Sequence, residues 1–333
     1  MEAVVYAATG HPQDPEKRRP TLNVLRLAAD GSELRLAQTV ELPEGAAMPM
    51  FQCVPPDSNT LYVSPDPASF YPYPPPPPAV PPPPHLTLPR VGQTVAGPLG
   101  VLAYKIDPSH GTILPPSAYS ETVEPVGSYQ TDEPALSTAI EGQPQDSVPG
   151  GAGACHICLD AQADVLLCAN YESGSVATLP VVDSRTGDLG PPASSRHGAG
   201  AEAGVAGSRQ AAAHPHGIFV DPSNRWVLAC DLGTNAVHCY ELGAGRLRSA
   251  GAIQLHAGAG PRHLAFHPSG ALCFTINELD NTVTSLRLDA SSGALSEVGH
   301  WSTLPEGWLA TDPPKPFDFC ECRNPLSLLM YLS

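Results

Sequence analysis

"RHLAFHPSGALCFTINELDNTVTSL", Arg262 to Leu286, decides how the rest of the chain is read. It holds three short apolar runs rich in β-branched and aromatic residues. They are cut by His-Pro-Ser-Gly and by Glu-Leu-Asp-Asn, and no 3.6-residue period suggests a helix. Two other stretches lie over it without a gap: "HGIFVDPSNRWVLACDLGTNAVHCY", His216 to Tyr240, and "CHICLDAQADVLLCANYESGSVATL", Cys155 to Leu179. Asp160, Asp221 and His267 then share one phase, Asn170, Asp231 and Asn277 a second, and Val176, Val237 and Val283 a third. The offsets are 61 and 46 residues, each constant along its pair of copies. The difference of 15 falls in a Gly/Ala/Ser-rich stretch, 187–213, which reads as a surface insertion.

A fainter copy runs from Met50 to Asp66, with Pro55 in the Asp160 phase. The larger spacing that follows it is taken up by a proline-rich run, 70–89, which reads as an extended, solvated excursion between strands. Ahead of that copy, "AVVYAATG", "TLNVLRLAADG" and "LRLAQTVEL" add three more strands. Four short strands per unit of roughly 40–50 residues is the signature of a β-propeller blade. The expectation is therefore an all-β chain, a β-propeller of four-stranded blades with about five blades over residues 1–308. Residues 309–333 fit no blade.

The chain has 333 residues with a net charge of −16, and 42% of it is hydrophobic against 15% charged. The acidic balance argues against nucleic acid as a partner, whose binding needs a basic surface. An anionic small molecule is still allowed if the cations that meet it are gathered locally. The opening "MEAVVYAATG" has neither a basic segment nor an apolar core of the secretory kind, and no run approaches a membrane span, so the expected location is cytoplasmic with no membrane partner. The nine cysteines are scattered through strand-like runs and read as reduced and buried. Cys155 and Cys158 have a metal-type spacing, but on a strand residues three apart face opposite ways.

In a propeller the first strand of each blade lines the central channel, and its start lies beside the end of the antiparallel second strand. In the last copy this brings Arg262 and Glu278 to one face. One blade earlier the Arg262 phase holds His216, with His214 two residues before it. Phase thus predicts that His214 or His216, Arg262 and Glu278 cluster at one mouth of the channel. His156 and His263 share the next phase and read as repeat-structural residues. Together with Asn170, Asp231 and Asn277 they are also candidate substrate contacts. The His-Pro-His pair could begin a metal site, but no third ligand with convincing spacing accompanies it, so no metal and no cofactor is expected.

At these residues the sequence resembles the seven-bladed propeller lactonases, which include bacterial-type 6-phosphogluconolactonase and the fungal 3-carboxy-cis,cis-muconate lactonizing enzyme. The resemblance runs from Gly153 to Trp308 through the three stretches quoted and "STLPEGW". It implies a catalytic His at His214 or His216, an Arg at Arg262 and a Glu at Glu278. The family's second Arg belongs to a later blade for which this sequence has no match. Set against seven blades, about two are missing, roughly 90 residues at the repeat length, and the expectation is an open or incomplete propeller.

The chemistry expected from the resemblance is hydrolysis of 6-phosphogluconolactone or a similar anionic sugar lactone. A His would act as base and proton donor, Arg262 would hold the substrate anion or oxyanion, and Glu278 would orient the His or take a proton. The alternatives are a muconate-type lactonizing cycloisomerase using the same groups, or an inactive propeller serving as an interaction platform. The sequence leaves the oligomeric state open.

Overall fold

The turn chemistry of the repeat fixes the strand ends. In the computed structural model, residues 3–9, 21–42, 46–54, 58–67, 101–114, 154–171, 173–183, 188–190, 193–196 and 207–304 are described. The phase that joins first to second strand carries Ala163, Asn224 and Gly270, all with positive φ (57°, 59° and 71°). The phase that joins second to third strand carries Gly174, Asn235 and Asn281, at 63°, 57° and 59°. Left-handed residues end a strand and return the chain antiparallel, and Gly and Asn tolerate that conformation best. Asp221 Oδ1 accepts hydrogen bonds from the Arg225 and Trp226 amides, and Asp160 Oδ1 does the same for Asp164 and Val165. At the same phase His267 Nδ1 accepts from the Ser269 amide, as Asp221 Oδ2 does from the Ser223 amide.

Five separate antiparallel sheets result. β1 (Ala3–Thr9), β2 (Thr21–Leu27) and β3 (Leu34–Glu41) form one, and β4 (Ala46–Cys53), β5 (Thr60–Pro67) and β6 (Leu102–Lys105) another. β7 (Ala154–Leu159), β8 (Val165–Asn170) and β9 (Ser175–Asp183) form the third. Its outer strand is divided, since β10 (Asp188–Leu189) pairs with the end of β9 and β11 (Ala193–Arg196) with its start. The last two are regular four-stranded meanders: β12 (Pro215–Val220), β13 (Trp226–Asp231), β14 (Ala236–Gly243) and β15 (Arg246–Gln254), then β16 (Pro261–Phe266), β17 (Leu272–Asn277), β18 (Thr282–Leu288) and β19 (Leu295–Ser302). The proline-rich run and the tail lie outside the described residues, as do residues 187, 191–192 and 197–206 of the Gly/Ala/Ser-rich stretch, which otherwise contributes β10, β11 and a 3-10 turn, Gly207–Gln210. No helix among the described residues is long and apolar enough to cross a membrane.

The chain divides into two compact units, Met1–Gln130 with Val181–Leu189, and Thr131–Pro180 with Gly190–Ser333. In the first, Leu22, Val24, Leu61, Val63, Ile106 and Ile113 form the core. In the second, β8 and β13 are buried along their whole length, with β12 packed against β8 and β16 against β13. This is why "VLLCAN" and "WVLACD" read as unbroken apolar runs rather than alternating ones. Trp226, Leu228, Val237, Leu264, Cys273 and Leu286 fill the space between the last two sheets, each large side chain contributing about 1.5–3 kcal/mol of burial. The inner strands β7, β12 and β16 pack side by side, β12 in the middle.

Candidate active site

The three inner strands share one irregularity. Ala154 pairs with Asn170 and His156 with Ala169, so Cys155 is skipped. Likewise His216 is skipped between Pro215 and Gly217, and Arg262 between Pro261 and His263. A bulged residue leaves the ladder and its side chain is re-aimed, a feature that recurs beside active sites. The three phase-equivalent side chains form a row across three blades: Cys155 Sγ lies 4.0 Å from His216 Nδ1, and Arg262 Nε donates to His216 Nε2 at 3.2 Å. Gly217 permits the close approach of β12 to β16, since a Cβ there would lie 2.7 Å from the Arg262 carbonyl oxygen.

Glu278 follows β17 directly, and its amide donates to the Gly260 carbonyl just before β16. Its carboxylate is buried. Oε1 accepts from Arg209 Nη1 at 2.5 Å, while Oε2 lies 3.2 Å from Arg262 Nε and 4.0 Å from His216 Nε2. The Arg262 Nε–H points at the imidazole, so Oε2 is paired by charge rather than by a hydrogen bond. One carboxylate between two guanidinium groups leaves a local surplus of positive charge in an acidic chain. Nη1 and Nη2 of Arg262 have no protein partner among the described residues, and the side chain is 22% exposed. A guanidinium edge free in this way matches a carboxylate, a phosphate or an oxyanion.

Arg209 comes from a short 3-10 turn, Gly207–Gln210. Gln210 anchors that turn by donating to the Leu232 carbonyl and Asn235 Oδ1. The segment then passes over the β13–β14 turn so tightly that a Cβ on Gly233 would lie 1.8 Å from the Ala212 carbonyl oxygen. His214 is fixed next. Its amide donates to Asp231 Oδ1 at 2.8 Å, and its carbonyl accepts from the Leu232 amide. Its ring stacks on Tyr171 at 4.4 Å, and Nδ1–H donates to the Tyr171 carbonyl at 2.7 Å. That bond places the lone pair on Nε2, which has no protein partner among the described residues. Tyr171 also stands edge-on to His216, with ring centroids 5.5 Å apart, and its hydroxyl accepts from Arg209 Nη2.

The two histidines differ in electrostatics. Burial pushes the His216 pKa well below its ordinary value, and Arg262 and His263 add to the effect. Its Nε2 accepts from Arg262, so the proton sits on Nδ1. His156 is pushed down to about 3 by burial and by Arg262, and His263 well below its ordinary value by burial, His156 and Arg262. These three rings are neutral and poor proton acceptors. For Arg209, burial opposes the charge but Glu278 and Tyr171 outweigh it, so its pKa is raised.

Of the residues expected from the sequence, the structure brings His216, Arg262 and Glu278 into contact, with His214 joined to them through Tyr171. His156 and His263 form an inner layer behind them, 5.3 Å apart, and the His156 Nδ1 accepts from the Ile218 amide. Asn170, Asp231 and Asn277 sit at the ends of the three middle strands and hold turns. Asn170 donates to Ser175, Asn277 donates to Thr282 and Thr284, and Asp231 accepts from the His214 and Thr234 amides. Arg209 and Tyr171 were not legible in the repeat. Tyr171 is one residue past the Asn170 phase, where the later copies hold Leu232 and Glu278, and that substitution is the only signal for it. Arg209 lies in the stretch between copies, where no phase exists.

A family model for lactonases of the seven-bladed β-propeller type matches residues 100–314. The chain belongs to this lactonase family. The 6-phosphogluconolactonase of Bacillus subtilis is 32% identical over 217 residues, which is 64% of this chain and 58% of that protein. The 6-phosphogluconolactonase of Pectobacterium carotovorum is 31% identical over 189 residues, 54% of this chain and 49% of that protein. This lactonase-family chain therefore spans about half the length of these curated relatives. The solved structure of a periplasmic gluconolactonase from Pseudomonas aeruginosa superposes with a TM-score of 0.65 at 19% identity, over 92% of this chain and 70% of that one. The fold is the all-β propeller fold that the repeat implies.

Proposed function

We propose that this site hydrolyses an anionic sugar lactone of the 6-phosphogluconolactone kind. The observation that carries the reading is the open guanidinium edge of Arg262 beside a His214 whose tautomer is set by a backbone carbonyl. Relatives named 6-phosphogluconolactonase at about 30% identity support the substrate class. His214 Nε2 removes a proton from water, which adds to the lactone carbonyl carbon. Arg262 stabilises the oxyanion or holds the substrate's anionic group. The ring C–O bond then breaks, and the imidazolium returns the proton to the departing alkoxide. Glu278 lies between its two arginines and sets their direction. His216 acts as a neutral acceptor that orients Arg262, because its depressed pKa makes it a weak base. Residues 1–308 form the propeller in this reading.

A pH-stat assay corrected for spontaneous hydrolysis tests the proposal, with 6-phosphogluconolactone and neutral gluconolactone as substrates. Turnover that prefers the phosphorylated lactone and is lost in Arg262→Ala supports it. No rate above the spontaneous one, or full activity in Arg262→Ala, overturns it in favour of an interaction platform.

A further inference from the structure

A second cluster of ligand-bearing side chains stands on the outer strand of the β16–β19 sheet. β19 pairs with β18 as Ser285↔Gly299 and then Leu286↔Glu297, so Val298 is an extra, bulged residue. On a regular strand residues three apart face opposite ways. The bulge removes one step of that alternation and brings Glu297 and His300 to one side. His300 Nδ1 lies 2.8 Å from Glu297 Oε1. His256, in the loop between β15 and β16, stacks on His300 with ring centroids 4.0 Å apart. One ring nitrogen from each histidine and one carboxylate oxygen of Glu297 lie within 4.8 Å of one another.

Asp280 decides what His256 can offer. Its Oδ2 lies 2.6 Å from His256 Nε2 and accepts the Nε2–H. The lone pair is then on Nδ1, which is buried and has no hydrogen-bond partner among the described residues. A carboxylate that fixes the tautomer of a histidine and raises its basicity is the usual outer support of a metal-bound imidazole. Two imidazoles and one carboxylate suit Zn²⁺ and its first-row neighbours, whereas Mg²⁺ and Ca²⁺ take oxygen ligands.

We infer that His256, Glu297 and His300, with Asp280 behind His256, bind a divalent first-row transition-metal ion. The two rings are close to parallel, 19° apart, so their lone pairs converge only after one ring turns. His300 is the one that turns, its side chain being 46% exposed. Water completes the shell. The ion would tie the loop after β15 to the outer strand of the next sheet, so its effect falls on stability rather than on the lactone chemistry.

The test titrates the metal-free full chain with Zn²⁺ by calorimetry and follows the melting temperature, with Co²⁺ as a spectroscopic substitute. One equivalent binds, the melting temperature rises, and the Co²⁺ spectrum shows nitrogen and oxygen ligation without a thiolate charge-transfer band. His300→Ala and Glu297→Gln, on partly exposed side chains, each remove the stabilisation. Asp280→Asn weakens binding about 10–100-fold. Equal Zn²⁺ binding in a His300→Ala/Glu297→Gln double variant, a thiolate band with Co²⁺, or an unchanged melting temperature would overturn the inference.

Discussion

Arg262 Nε donates to His216 Nε2 over 3.2 Å, from one inner strand to the next, at the same repeat phase in both. The bond holds the guanidinium with its outer edge free, and it requires His216 to be neutral. Arg262→Lys keeps a charge but loses the planar fork and the Nε donor. A fall in kcat/KM of about 10²–10³-fold is expected for Arg262→Ala, and most of it for Arg262→Lys, measured by pH-stat hydrolysis.

In the proposed mechanism His214 is the base, its Nδ1–H held by the Tyr171 carbonyl. His214→Gln should lower kcat by about 10²–10⁴-fold while substrate binding is largely kept. Tyr171→Phe keeps both the carbonyl and the stacked ring and loses only the hydroxyl that meets Arg209. Its kcat should fall far less. Equal losses in the two variants would remove His214 from the role of base.

Glu278 is a buried carboxylate between Arg209 and Arg262. Glu278→Gln leaves two guanidinium groups facing each other without their counter-charge. Breaking a buried pair in this way costs about 3–5 kcal/mol, read as a lower midpoint in urea unfolding. The same variant should lose activity, because both arginines are released from their directions.

Stability should fall on mild acidification. His156, His216 and His263 are all depressed in the folded state, His156 to about 3. In the unfolded chain they titrate near ~6.5. Below that pH the unfolded state binds more protons, so the stability they contribute is complete above ~6.5 and is lost as pH drops toward about 3. Each contributes a slope of up to about 1.4 kcal/mol per pH unit. Melting temperatures between pH 8 and pH 4 would show this, and a flat profile would contradict the neutrality of the three rings in the folded state.

Gly217 has no room for a methyl group, with the Arg262 carbonyl oxygen 2.7 Å from the Cβ position and the Phe219 ring at 2.6 Å. Gly217→Ala is expected to cost about 1–3 kcal/mol and to shift Arg262 enough to reduce activity. The exposed Gly243, where nothing lies within 4 Å of the Cβ position, supplies the control.

The repeat phase carried a large part of the fold. It located the first three strands of each of the last three copies and the turns between them, whereas β10, β11 and the Gly207–Gln210 turn fall in the stretch that reads as an insertion. It also placed Arg262 beside His216, because residues at one phase on neighbouring inner strands must be neighbours in space. It could not choose between His214 and His216. The two differ through a hydrogen bond to a backbone carbonyl of another blade and through the summed burial around each ring, and neither quantity is a property of a strand pattern.

The sequence by itself determined the blade where the copies match best: four strands in meander order in β12–β15 and β16–β19. Alternation and turn residues are local, and each copy repeats them. Only the tertiary structure decided what meets those strands. Arg209 reaches Glu278 from a segment with no repeat phase, held by Gln210. Glu297 and His300 share a side because Val298 is bulged, which no periodicity shows. Loops and bulges are placed by packing and by hydrogen bonds from other blades, so their side chains find partners only once the sheets have come together.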